Sequence, residues 1–256
     1  AVAGAERHPW VAHAEARRAG HRIRRQVLTA GTVLGQDSTH TGHVAGSGAW
    51  AEVVRDWGTL ETHAAGTGRP VTEAVMLGHL NQRAARGTLP LVLATDNGPA
   101  YVTPAVEAWL LGHEVIHLKN RTHTAIDNGP TERAVGEAKA EAWLGAGVQL
   151  ADGQEGVARM QASCERLNIR PRPSRGGLTS EELTRGLPSW ETRVGRSEFF
   201  GACRAAIQCA AQDGQSSRQR RQAEREAIFQ TLEGFGLLRT TRGAQATQAL
   251  KPEMIS

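Results

Sequence analysis

The sequence predicts an α/β fold, a mixed sheet with helices on its faces, and three observations carry that expectation. Three short strand-like runs come first, within residues 31–64, before any helical pattern. From there helical and strand-like patterns alternate to about residue 144. The run at residues 89–95 (LPLVLAT) is apolar almost throughout, as in a strand covered on both faces. Sequential strands followed by alternating units build a mixed sheet rather than a sandwich or a bundle.

The elements follow in order. Residues 32–39 (TVLGQDST) read as the first strand, broken afterwards by Gly42, Gly46 and Gly48. Residues 50–56 (WAEVVRD) and 59–64 read as two more, with a Trp57-Gly58 turn between them. Pro70 suits the first turn of a helix. Its apolar positions, Val71, Ala74, Val75, Leu77, Leu80 and Ala84, run to about Arg86. After the strand at 89–95, Thr103 caps a second helix with Pro104 at its first position and Gly112 as its stop. Residues 114–118 (EVIHL) are a further strand, residues 119–129 a polar loop, and Pro130 opens a helix that ends near Leu144. Residues 216–238 read as a basic helix with Ala223, Ala227, Ile228 and Leu232 inward. Residues 237–243 then suit a strand and wing, in a small winged-helix-like piece, with an oligomerisation helix as the alternative reading of this region. Four regions result: a basic linker or helix (1–30), a mixed-sheet core (31–150), a core-associated tail (151–190) and a basic, mainly helical region (191–256).

Charge follows the same division. Residues 1–30 hold six arginines against two glutamates, and residues 191–256 ten basic against seven acidic groups. Residues 31–150 reverse the balance, with twelve acidic against eight basic groups. Basic arms around an acidic middle suit a protein that grips phosphate with its flanks and gathers carboxylates around metal. Hydrophobic content of 39% supports a core, and no apolar run approaches the roughly 18 residues of a membrane span. The three cysteines, Cys164, Cys203 and Cys209, have neither the even number of a disulfide framework nor CxxC spacing. With no signal-peptide pattern at its start, the chain is expected to be cytoplasmic.

Three carboxylates lie where this topology would gather them: Asp37 in the first strand, Asp96 just after the buried strand, and Glu132 in the first turn of the last core helix. Phosphoryl transfer to water or a hydroxyl wants such a set. Two hard divalent ions about 3.5–4 Å apart activate the attacking oxygen and steady the leaving one, and Mg²⁺ or Mn²⁺ prefers carboxylate oxygens. Asp56, in VVRDWG, competes with Asp37 for the first position, but would leave the first strand without a task. His40, His43, His113, His117 and His123 lack the spacing of a zinc site.

Thirty-five residues separate Asp96 from Glu132. Around them stand Thr-Asp-Asn-Gly at 95–98, Asp-Asn-Gly at 127–129 followed by Glu132-Arg133, Asn168-Ile-Arg-Pro171, and Gly177-Leu-Thr-Ser-Glu-Glu-Leu183. In this order and spacing the sequence resembles the DDE integrase-core transposases, relatives of retroviral integrases, over about residues 31–185. Ser180 stands where that family usually has proline, and Leu167 where tyrosine often precedes the asparagine. The resemblance implies a ribonuclease-H-like core with a basic, mainly helical C-terminal region. It implies two Mg²⁺ or Mn²⁺ ions on Asp37, Asp96 and Glu132. It implies cleavage and strand transfer on double-stranded DNA, element ends and target alike, by a homo-oligomer. A nuclease that cleaves without joining, or an inactive DNA-binding descendant, are the alternatives. Phosphate contacts are expected from Lys119, Arg121 and His123 in the loop before Glu132. Lys139, two helical turns after Glu132, is another. Arg218, Arg220, Arg221 and Arg225 are expected on an exposed helix face.

Overall fold

The structure is a computed structural model that describes residues 23–119, 129–211 and 215–242. Its strands are β1 (Ile23–Val27), β2 (Val33–Val44), β3 (Ser47–Asp56), β4 (Thr62–Gly68), β5 (Val92–Thr95), β6 (Ile116–Lys119) and β7 (Leu238–Arg242). Its helices are α1 (Glu73–Ala85), α2 (Pro104–Gly112), α3 (Gly129–Ala142), α4 (Gly153–Asn168), α5 (Ser180–Gly186), α6 (Arg196–Ala210) and α7 (Ser217–Gly234).

Five strands form one sheet in the order β4-β3-β2-β5-β6. β2, β3 and β4 pair antiparallel as a meander, while β5 and β6 join parallel to β2 through helical crossovers. This is the expected mixed sheet. The strand alternation divides its residues between two cores. Leu34 and Leu93 face Met76, Leu80, Val106 and Leu110 of α1 and α2. Ala49, Ala51 and Val53 face Ala138, Val157 and Met160 of α3 and α4. On that same side, Val33, Val92, Ala94, Ile116 and Leu118 are covered by Phe199 and Cys203 of α6 and by Ile228 and Leu232 of α7.

Several boundaries differ from the sequence expectation. β2 runs on to Val44 instead of stopping at Thr39, because it turns directly into β3 through Ala45 and Gly46, both at positive φ (47° and 85°). Such a two-residue connection matches the twist of a hairpin. Gly42 is a close approach within the strand: a Cβ there would lie 2.8 Å from the carbonyl oxygen of Val148. α1 starts after Thr72, whose hydroxyl accepts from the Val75 N–H at 3.4 Å, rather than at Pro70.

The C-terminal expectation needs the larger correction. Residues 238–242 do form a strand, but β7 pairs antiparallel with β1, Ile23 opposite Arg242 and Val27 opposite Leu238. Residues 23–27 and 238–242 thus share one ribbon, so the strand that follows α7 is paired with β1. Residues 23–27, expected within a linker or helix, are the other half of it. The rest of the N-terminal arm, the loop holding Arg121 and His123, and the last fourteen residues lie outside the described residues.

Candidate active site

Parallel pairing of β2 with β5 sets Gln36 opposite Thr95. Asp37 and Asp96 are the next residues on the two strands, so both lie at the carboxyl end of β5, where α/β sheets leave a crevice for ligands. Glu132 comes from the third direction, in the first turn of α3. That turn is seated on β2 at Gly35, two residues before Asp37 and on the same face. A Cβ on Gly35 would lie 1.9 Å from Thr131 Oγ1 and 2.5 Å from Trp57 Nε1, so only glycine admits the helix there. Thr131 is fully buried and accepts a hydrogen bond from the Trp57 indole N–H at 3.0 Å. The Arg55 guanidinium donates to the Pro130 carbonyl at 3.1 Å. These contacts hold the residues on either side of the helix start and leave Glu132 itself exposed.

The electrostatics follow from this convergence. Burial, then the carboxylates of Asp96 and Glu52, raise the Asp37 carboxyl from 3.8 to about 7; Glu132 adds to the rise, and the Ser38 backbone N–H opposes it. Glu52 was not anticipated. It lies on β3, 3% exposed, where its Oε2 accepts from the Tyr101 hydroxyl at 2.5 Å and from Gln36 Nε2 at 3.2 Å. Its other oxygen is buried without a hydrogen-bond partner. A glutamate amid the apolar alternation of WAEVV was the available signal. Tyr101 is pushed upward in pKa by burial and by this carboxylate.

Asp96 is braced from its own loop and from the next strand. Its Oδ1 accepts from the Gly98 N–H at 2.8 Å. Thr95 Oγ1 donates to the Asp96 carbonyl and lies 2.8 Å from His117 Nε2, whose Nδ1 is 2.9 Å from Glu107. Asp56 is a turn anchor: Oδ1 accepts from the N–H groups of Gly58 (2.6 Å) and Thr59 (3.3 Å), and Oδ2 from that of Gly31 (2.7 Å).

Among the described residues no three His, Cys, Asp or Glu side chains stand close enough to form a metal site. In donor chemistry the set nevertheless fits a hard divalent cation. It offers carboxylate oxygens from three elements, and the pKa of Asp37 responds to both other members.

The expected phosphate contacts divide. Lys119 ends β6 with its ammonium 2.7 Å from Glu107. Lys139 is half-buried on α3, and Arg218, Arg220 and Arg221 are exposed on α7. Arg225 is not exposed as expected: it is 5% exposed, with its guanidinium 4.9 Å from the centre of the Phe229 ring. One helical turn separates it from Arg221, and that turn carries it from solvent into the packing between α7 and the sheet. Arg204, Arg220, Arg221 and Arg225 all line a cavity of about 910 Å³ that reaches Asn97, the neighbour of Asp96.

No protein-family model and no curated protein matches the chain. Solved structures do. A chain of the simian T-cell lymphotropic virus intasome, in complex with the PP2A regulatory subunit B56γ, aligns with a TM-score of 0.50 and 18% identity over 64% of this chain and 59% of that one. The HTLV-2 integrase catalytic core domain in complex with magnesium gives 0.47 and 16% over 62% and 99%. The BIV integrase catalytic core domain gives 0.44 and 19% over 60% and 93%. The sheet order, the crossovers and this likeness agree: the chain has the ribonuclease-H-like fold of retroviral integrase catalytic cores.

Proposed function

We propose that this chain is a transposase or integrase that cleaves and joins DNA strands at the ends of a mobile element, using Asp37, Asp96 and Glu132. The observation that carries the reading is the perturbed Asp37. Its carboxyl rises to about 7 because burial and charges from β3, from the end of β5 and from α3 converge on it. Buried like-charged groups at a sheet's carboxyl end mark a functional site more often than a structural one.

Within this reading the chain's own residues do the positioning. Trp57, Thr131 and Gly35 hold the helix start that carries Glu132 against β2. Glu107, His117 and Thr95 brace the loop that carries Asp96. When bound, two Mg²⁺ or Mn²⁺ ions would neutralise the carboxylates and supply Lewis acidity to a scissile phosphate. Exposed Arg218, Arg220 and Arg221 suit the phosphates of double-stranded DNA. Two element ends must be held at once, so the working form is a homo-oligomer.

The test is a labelled duplex incubated with the chain and Mg²⁺ or Mn²⁺. Joined products support strand transfer. Cleaved ends without joining reduce the function to a nuclease, and DNA binding without cleavage to a DNA-binding protein.

A further inference from the structure

Trp143 is the most exposed large apolar residue among the described ones, at 82%. It stands at the end of α3 in a left-handed backbone conformation, φ 55°. The Leu144 N–H bonds the Lys139 carbonyl at 3.0 Å, and the Trp143 N–H bonds that of Ala140 at 3.3 Å. This is the helix-ending arrangement in which glycine usually fills the left-handed position. A tryptophan there is strained and leaves its ring in water, so the fold gains nothing from the side chain. The backbone is nonetheless pinned: Arg159 Nη2 donates to the carbonyls of Ala142 (2.7 Å) and Trp143 (3.2 Å), and Leu144 is buried in the core.

The surroundings state what the ring is held out for. Glu132, Gly136 and Lys139 lie in one row along α3 that starts at the carboxylate centre, and Trp143 follows directly after the helix ends at Ala142. Eleven residues at 1.5 Å each set Trp143 about 16 Å from Glu132. The helix end is also cationic. Arg159, bonded to the Trp143 carbonyl, and Lys139, one turn back, supply the charge, while Arg166 and Arg170 pair with Glu141 on the opposite flank of α3. An exposed indole beside cations is the pairing that binds a nucleic-acid strand, with a base stacked on the ring and phosphates on the charges.

We propose that Trp143 is a stacking platform for an unpaired base of the bound DNA, about five base steps from the phosphate engaged at Glu132 when counted at the duplex rise of 3.4 Å per strand. This rests on the DNA-processing reading above and adds a specific contact to it.

The test compares two fluorescein-labelled duplexes, one with a five-nucleotide single-stranded extension and one whose extension carries abasic sugars. The full-length chain should bind the first about 5- to 150-fold more tightly, the range of a single base–aromatic stack. Trp143→Gly should erase that preference and melt no lower than the parent chain, since glycine relieves the left-handed backbone; Trp143→Phe should keep part of it. Persistence of the preference in Trp143→Gly overturns the proposal. So does a variant that loses its oligomeric state with both affinities unchanged, which would make Trp143 an assembly contact. Cleavage is read in the same preparations. Cleavage by the parent chain without a base preference defeats only the Trp143 platform, whereas a base preference without cleavage defeats only the catalytic reading.

Discussion

The indole N–H of Trp57 donates to the hydroxyl of Thr131 across 3.0 Å, directly over the bare backbone of Gly35. One residue beyond Thr131 is Glu132, and two beyond Gly35 is Asp37. The contact is therefore where the helix carboxylate is placed relative to the strand carboxylate. Gly35→Ala forces a methyl into that contact and should destabilise the fold by about 1–3 kcal/mol, the usual cost of overpacking. Trp57→Phe deletes the donor and leaves a buried hydroxyl, costing about 1–3 kcal/mol. Urea unfolding reads both. Each should also depress cleavage beyond what its stability loss accounts for, because α3 shifts.

Asp37 makes a prediction about the metal-free chain. Its pKa is about 7 folded against 3.8 as the ordinary value, so its ionisation opposes folding. A raised carboxyl is neutral in both states below pH 3.8. Its contribution then declines as pH climbs through 7. In chelator at pH 8, Asp37→Asn should melt higher than the parent chain, and at pH 3.5 the two should coincide. Adding Mg²⁺ should raise the parent's melting temperature by mass action and leave Asp37→Asn nearly unmoved. A variant that melts lower at pH 8 contradicts the electrostatic picture.

Glu107 has the opposite sign. Burial raises its carboxyl, but bonds from His117 and Lys119 outweigh that and hold it at about 2, below its ordinary 4.5. The stability it contributes is full above pH 4.5 and is lost as pH falls towards 2. With its side chain 35% exposed, solvent screening cuts the contribution to about 1 kcal/mol. Glu107→Gln should flatten the acid limb of the unfolding curve between pH 4.5 and 2 and change little near pH 7. An unchanged acid limb would show that the pairs contribute nothing.

The flanking charge is testable by salt. Arg218, Arg220 and Arg221 are exposed on α7, so replacing all three with alanine should weaken DNA binding alike for every sequence. The slope of log K against log salt should flatten by up to about three. Arg225, packed over Phe229, belongs to a different experiment: Arg225→Ala should lower the melting temperature. Retention of the full salt slope by the triple variant would locate the DNA contacts elsewhere.

Much of the sheet was legible because its signals are local. Alternation marks β2, β3 and β4, and the apolar run at 89–95 marks β5. Thr103-Pro104 caps α2 where expected, with Thr103 Oγ1 accepting from the Val106 N–H at 3.3 Å. The three carboxylates could be named because Asp96 and Glu132 carry a recognisable spacing. What stayed hidden depends on distant partners. The β1–β7 ribbon joins residues more than two hundred positions apart, and nothing in either segment announces the other. Glu52 reads as a solvated strand residue until Tyr101 is laid against it from the loop before α2. Arg225 lies on the same side of α7 as Arg221, and only its packing over Phe229 shows that it is covered. Trp143 looks like a core anchor, and only the left-handed turn after α3 shows that it points into water.

The most direct test of the account changes one carboxylate at a time. Asp37→Asn, Asp96→Asn, Glu132→Gln and Asp56→Asn are each purified, and strand cleavage with Mg²⁺ and DNA affinity are measured on the same duplex. Loss of any of the first three should abolish cleavage and spare binding. Asp56→Asn should keep its chemistry, since its carboxylate is engaged by the N–H groups of Gly31, Gly58 and Thr59. Full cleavage by Asp37→Asn together with a dead Asp56→Asn would contradict the assignment of the site.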